Sequence, residues 1–272
     1  MRKYLVLVFM AVFVFVLSSC GNSSTEALGI YGSEGRISAE IQKPELNPGE
    51  KCRLVKILHG LGGNKYEDHL MAIADALEDR GVASIRFDFN GHGESDGDFV
   101  NMTVPKEIED AKRVYEYVKN LDYVDSVSVV GHSQGGVVTS MLAGELGADK
   151  IHSIVLLAPA AVIREDAIRG LFLGIPFNAT NPPESLKLGE LSLGREYLLT
   201  AQTLPIFQTS KNFTGSVCLI HGRADSGVPY SYSEIYDMLY SNSELHLMEG
   251  VNHMFAERLD EMVEIVANFL AE

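Results

Sequence analysis

Tryptophan is absent from the 272 residues, so any aromatic surface has to be built from 12 phenylalanines and 11 tyrosines. Cysteine is scarce. Cys20, Cys52 and Cys218 are scattered along the chain, which excludes a disulfide framework. Cys52 and Cys218 sit in or beside apolar runs and read as small buried hydrophobes. No H-E-x-x-H and no paired-cysteine spacing occurs, so no metal is expected. No glycine loop ends in Gly-Lys-Ser/Thr, and no G-x-G-x-x-G opens a helix after the first strand; the expectation is that there is no cofactor. Basic residues are outnumbered, 22 Lys and Arg against 37 Asp and Glu, for a net charge of -15 at pH 7. That balance argues against nucleic acid and against a polybasic grip on anionic lipid. The length suits one large α/β domain or two small ones.

The longest apolar run is 4–17, short of the roughly 20 residues that span a bilayer. Arg2 and Lys3 precede it, and Leu17-Ser18-Ser19-Cys20 followed by a polar stretch closes it. This pattern resembles a bacterial lipoprotein signal with its lipobox. The resemblance implies a signal peptide over 1–19, lipidation of Cys20, a tether over 20–28, and an exported protein held on a membrane by its lipid anchor. An ordinary signal peptide cut elsewhere and an uncleaved anchor are the alternatives. The folded domain is expected over 29–272.

From there apolar strands alternate with amphipathic helices. Strand patterns fall at 54–58, 82–87, 127–130, 151–157, 217–222 and 245–248, and helical spacing at 66–80, 104–121, 136–146, 230–240 and 255–270. Residues 29–42 read as a β-hairpin. The rhythm breaks over about 161–212, where prolines and aromatics mix with short helical patches; this is read as an inserted lid. The alternation predicts an α/β fold with a mostly parallel, doubly wound sheet, whose chemistry collects at the carboxyl ends of the strands. Lys56 is out of place in a strand expected to be buried on both faces.

One such strand end carries Gly131-His132-Ser133-Gln134-Gly135. A serine raised on a strand-to-helix turn has a strained backbone, and its neighbours two before and two after have no room for a Cβ. A serine hydroxyl also needs a base within hydrogen-bond reach and an acid to orient that base. Asp225, just past the strand at 217–222, and His253, in the loop before the last helix, follow in the required order. Asp166 is the rival acid, though it falls in the lid. The developing oxyanion needs backbone N–H donors. Gln134 supplies one at the helix start, and Leu61, within His59-Gly60-Leu61-Gly62, is the candidate for the other.

Together His59-Gly60, Asn90-Gly91-His92-Gly93-Glu94-Ser95-Asp96-Gly97, the elbow, Leu157-Ala158-Pro159-Ala160 and His221-Gly222-x-x-Asp225-x-x-Val228-Pro229 resemble the α/β-hydrolase superfamily. The Gly-His-Ser-Gln-Gly-Gly elbow and Ala201-Gln202-Thr203-Leu204-Pro205 in the lid are similar to bacterial cinnamoyl (feruloyl) esterases. That resemblance implies a cofactor-free serine esterase acting on small-molecule or oligosaccharide esters of hydroxycinnamic acids. Tyr197 and Gln202 would then be the lid residues that meet the substrate ring. The absence of tryptophan and the lipoprotein-like leader depart from that family. A lipase or monoacylglycerol hydrolase, a serine peptidase on the same scaffold, and a non-catalytic surface-binding lipoprotein are the competing readings.

Overall fold

The computed structural model describes residues 28–271. The expected signal peptide, the lipidation site Cys20 and all of the tether but Leu28 lie outside the described residues. Among the described residues no helix is long and apolar enough to cross a membrane.

The sheet strands are β1 (Ala39–Gln42), β2 (Cys52–Leu58), β3 (Ala83–Phe87), β4 (Val124–His132), β5 (Ser153–Leu157), β6 (Ser216–Gly222) and β7 (Ser243–Met248). Their spatial order is β7-β6-β5-β4-β2-β3-β1. All neighbours run parallel except β1, which lies antiparallel along the edge against β3. The helices are α1 (Asp68–Glu78), α2 (Val104–Val118), α3 (Gln134–Leu146), α4 (Val162–Arg169), α5 (Arg195–Thr203), α6 (Ile206–Ser210), α7 (Ser231–Leu239) and α8 (Leu259–Ala271).

Side chains alternate across the sheet with the period of two that pleating imposes. Val55, Ile57, Val130, Val155 and Ile220 face one layer, where Leu70, Ile73 and Leu77 of α1 meet Met262, Val266 and Leu270 of α8. Leu54, Leu58, Val129, Ile154 and Leu219 face the other, which holds α2, α3 and the lid. Lys56 has the parity of that second face. It is fully buried, its Nζ donates to the Ala111 carbonyl of α2 at 2.6 Å, and burial pushes its ammonium down to about 7.

The N-terminal hairpin is shorter than expected. Tyr31–Gly32 pairs with Gly35–Arg36, while Ala39–Gln42 leaves it to pair with β3. Residues between β5 and β6 form the inserted lid: α4, two short hairpins (Leu171–Phe172 with Ile175–Pro176, and Ser185–Leu188 with Leu191–Gly194), α5 and α6. Phe172, Leu193, Tyr197, Leu198 and Ile206 bury themselves in the main core, so the lid packs as part of the domain. The chain leaves β2 toward β3 on one side and returns to β4 on the other. The crevice above β2 and β4 is therefore where the strand order reverses, and a ligand site is expected there.

Candidate active site

β4 ends at His132 and α3 begins at Gln134, leaving Ser133 alone at the turn with φ 55° and ψ -119°. Such a backbone costs of order 1–3 kcal/mol for a residue with a Cβ and survives only where its surroundings fix it. Here the Ser133 N–H donates to the Leu157 carbonyl at 2.8 Å, and the Ser133 carbonyl accepts from the Ala160 and Gly136 amides, each at 3.0 Å. A Cβ on Gly131 would lie 2.2 Å from the Gly135 carbonyl oxygen, and one on Gly135 would lie 2.4 Å from that of His59. The glycines of the elbow are thus required by contact.

Asp225 follows β6, and His253 lies in the loop after β7. The two loops are held together by the Arg223 N–H on the Met248 carbonyl (2.9 Å) and the Ala224 N–H on that of Val251 (3.0 Å). His253 Nδ1 donates to Asp225 Oδ2 at 2.5 Å, which leaves Nε2 as the nitrogen that can take a proton from serine. The carboxylate is satisfied on every side. Oδ1 accepts from the Gly227 and Val228 amides at 2.8 Å, and Oδ2 accepts from His221 Nε2 at 3.2 Å. His221 Nε2 also faces the Val228 carbonyl (3.0 Å), so that nitrogen carries the proton and Nδ1 accepts from the Ser233 hydroxyl at 2.7 Å. Burial alone would raise the Asp225 carboxyl; the hydrogen bonds from His221, His253 and Val228 outweigh it and hold the group well below the usual carboxylate range.

As the first residue of α3, Gln134 has an amide N–H with no intrahelical partner, at the positive end of the helix. The Leu61 loop is shaped by two buried histidines. His59 Nε2 accepts the Phe89 N–H (3.1 Å), so Nδ1 donates to the Gly60 carbonyl (2.8 Å). His92 Nε2 accepts the Gly62 N–H at 3.3 Å. Burial holds His59 down to about 4 and His92 to about 3, so both stay neutral and keep the lone pairs these bonds use.

Ser133, Gln134, Leu61 and His253 line one cavity of about 210 Å³, closed by Val162, Ile163, Phe172 and Leu173 of the lid and by Val228. Asp166 reaches this cavity too, while Asp225 holds the histidine. Burial pushes the Asp166 carboxyl up. Tyr197 and Gln202 are not brought to the cavity. Tyr197 is fully buried behind it, donating to Gln134 Oε1 at 2.6 Å, and its ring meets Phe172 edge-on at 5.4 Å. The Gln134 amide nitrogen in turn donates to both oxygens of the buried Glu107 (3.0 and 2.9 Å), whose carboxyl burial drives well above its usual value. Gln202 donates to the Ala179 carbonyl at 3.0 Å. A lid tyrosine turns inward when a buried acceptor waits for it, and that acceptor was visible in the sequence only as an elbow residue. Asp166, weighed only as a triad acid, is the ionisable lid side chain at the cavity among the described residues.

Among the described residues two groups of side chains lie close enough to hold a metal ion: Glu67, His69 and His132, and Cys218, Glu244 and His246.

The family described as serine aminopeptidase S33 (Hydrolase_4) matches residues 49–182. The structure of Est1E from Butyrivibrio proteoclasticus with ferulic acid bound is similar over 90% of this chain and 96% of that one, at 34% identity and a TM-score of 0.83. Esterase EstD of Thermotoga maritima is 26% identical over 228 residues, 74% of this chain and 54% of EstD. Protein ABHD12B of Homo sapiens is 26% identical over 231 residues, 80% of this chain and 60% of that protein. The chain therefore spans little more than half the length of these two curated relatives.

Proposed function

Because the chain belongs to the α/β-hydrolase superfamily of serine hydrolases, we propose that it is an esterase cleaving cinnamoyl or feruloyl (aryl) esters through an acyl-enzyme. The reading is carried by the cavity at Ser133: small, walled by Phe172 and aliphatic side chains, with the single lid carboxyl Asp166 on its lining. An aryl acyl group suits such walls, and Asp166 would accept from a ring hydroxyl. The likeness to a protein solved with ferulic acid supports the same substrate class.

In the proposed reaction Ser133 Oγ attacks the ester carbonyl carbon while His253 Nε2 takes its proton. The carbonyl oxygen gathers the charge and receives hydrogen bonds from the Leu61 and Gln134 amides. His253 passes the proton to the departing alcohol, leaving the acyl group on Ser133. A water molecule, deprotonated by the same imidazole, then releases the acid. Asp225 keeps His253 in the tautomer this cycle needs.

The test is a panel of ethyl ferulate, ethyl p-coumarate, p-nitrophenyl acetate and a long-chain acyl ester, run on the wild type and on Ser133→Ala. Preferred turnover of the cinnamoyl esters, lost in Ser133→Ala, is expected. Activity surviving in the variant defeats the mechanism, and a preference for long acyl chains defeats the substrate assignment. The match to serine aminopeptidases favours a peptidase as the second reading, and aminoacyl p-nitroanilides in the same panel separate it. We further propose export and anchoring through an acylated Cys20, on the strength of the leader sequence. Metabolic labelling with palmitate should mark the wild type and spare Cys20→Ala; equal labelling of both refutes the anchor.

A further inference from the structure

Glu67, His69 and His132 contribute nothing to the reaction above, yet they sit in an arrangement that lacks a partner. His69 and His132 are 3% and 2% exposed. Each of the three residues has one buried side-chain atom without a hydrogen bond: Glu67 Oε2, His69 Nε2 and His132 Nδ1. One ligand atom from each lies within 4.8 Å of the others. Buried polar groups are ordinarily satisfied, and three orphans on side chains this close together call for a specific occupant.

The tautomer of His132 says which kind. Its Nε2 is 3.0 Å from the His253 carbonyl oxygen, which can only accept, so Nε2 carries the proton and Nδ1 presents a bare lone pair. A histidine that donates its other N–H to a backbone carbonyl is set up as a metal ligand, with ring and tautomer fixed in advance. The bare His132 nitrogen therefore shares its surroundings with a second unpaired imidazole nitrogen, His69 Nε2, and an unpaired oxygen of Glu67. Two imidazole nitrogens and one carboxylate oxygen are a donor set suited to zinc, with a fourth position left open. A surface cleft of about 490 Å³, lined by Glu67, His69, Met254 and Leu259, provides the entry path.

We propose that Glu67, His69 and His132 form a binding site for a divalent transition metal of the zinc class, and that its occupation slows the serine chemistry next to it. The second clause rests on the esterase reading; the first does not. The His132 ring lies 4.7 Å from that of His253 and touches its backbone carbonyl. A dication on His132 Nδ1 therefore opposes the imidazolium that His253 must become when Ser133 attacks, and turnover falls by about tenfold or more.

The experiment is calorimetric titration of Zn²⁺ into the untagged protein, and Co²⁺ titration followed by its visible absorption. It uses the wild type, Glu67→Gln, His69→Gln and, to set aside the second cluster, Glu244→Gln. One zinc bound per chain in the wild type and Glu244→Gln, lost in Glu67→Gln or in His69→Gln, is expected. No binding to the wild type, or binding unchanged in both Glu67→Gln and His69→Gln, overturns the site, whatever the enzyme hydrolyses. Ester turnover with and without saturating Zn²⁺ tests the coupling. Inhibition in the wild type relieved by EDTA and absent from Glu67→Gln supports it; a zinc-loaded wild type working at full rate overturns it.

Discussion

The Tyr197 hydroxyl donates to Gln134 Oε1 at 2.6 Å, so a lid residue holds the side chain of the residue that follows Ser133 and opens α3. Behind it Gln134 also holds both oxygens of Glu107 on α2. The lid, the elbow and a core helix are thereby joined by one buried polar chain.

Tyr197→Phe removes the donor and leaves Gln134 Oε1 buried and unpaired, which costs about 1–3 kcal/mol of stability. The variant is expected to unfold at a lower urea midpoint with its m-value unchanged. A midpoint equal to the wild type's shows that Gln134 finds another donor.

Asp225→Asn keeps the shape of the triad while removing the charge that fixes the His253 tautomer, and kcat is expected to fall by about 10⁴-fold. The same carboxyl shapes the acid stability. Its pKa is lowered on folding, so its contribution is complete above the unfolded carboxylate value near 3.9 and drains away as pH falls from there toward the folded value. Urea unfolding between pH 3 and pH 6 should show a steeper loss in the wild type than in Asp225→Asn. Parallel curves count against the assignment.

His92→Phe keeps the ring that packs edge-on against Phe99 at 5.0 Å but deletes the lone pair that accepts the Gly62 N–H. The loop carrying the Leu61 amide should lose definition, with kcat down about tenfold and KM little changed. A change confined to KM would assign His92 to substrate binding instead.

Gly135→Ala forces a methyl group into the His59 carbonyl oxygen, 2.4 Å from where its Cβ must sit. Overpacking of this kind costs about 1–3 kcal/mol, and a displaced elbow costs about 100-fold in kcat. Folded, fully active Gly135→Ala protein, checked by circular dichroism and an ester assay, defeats the contact argument.

Much of this is legible in the residues alone. β-branched apolar runs ending in glycine loops can be little else than buried parallel strands, and the elbow glycines declare themselves because a Cβ has nowhere to go. Asp225 and His253 stood out because each sits in a loop just past an apolar run. What stayed hidden depends on pairing across distance. The alternation through Ile37, Ala39 and Ile41 says strand but not which partner, and Ala39–Gln42 chose β3. Tyr197 reads equally well as a pocket wall or a core residue until Gln134 Oε1 is seen to await it. Glu67 and His69 are two apart, a spacing that signals no ligand motif, and the fold alone brings His132 to them from the end of β4.

The contact between Gly135 and His59 joins the end of the oxyanion strand to the first turn of the nucleophile's helix, main chain against main chain. The separation between the backbone just after β2 and the first turn of α3 is therefore set by main-chain contact, whatever the side-chain rotamers. A change of side-chain rotamer at the cavity leaves that separation unaltered.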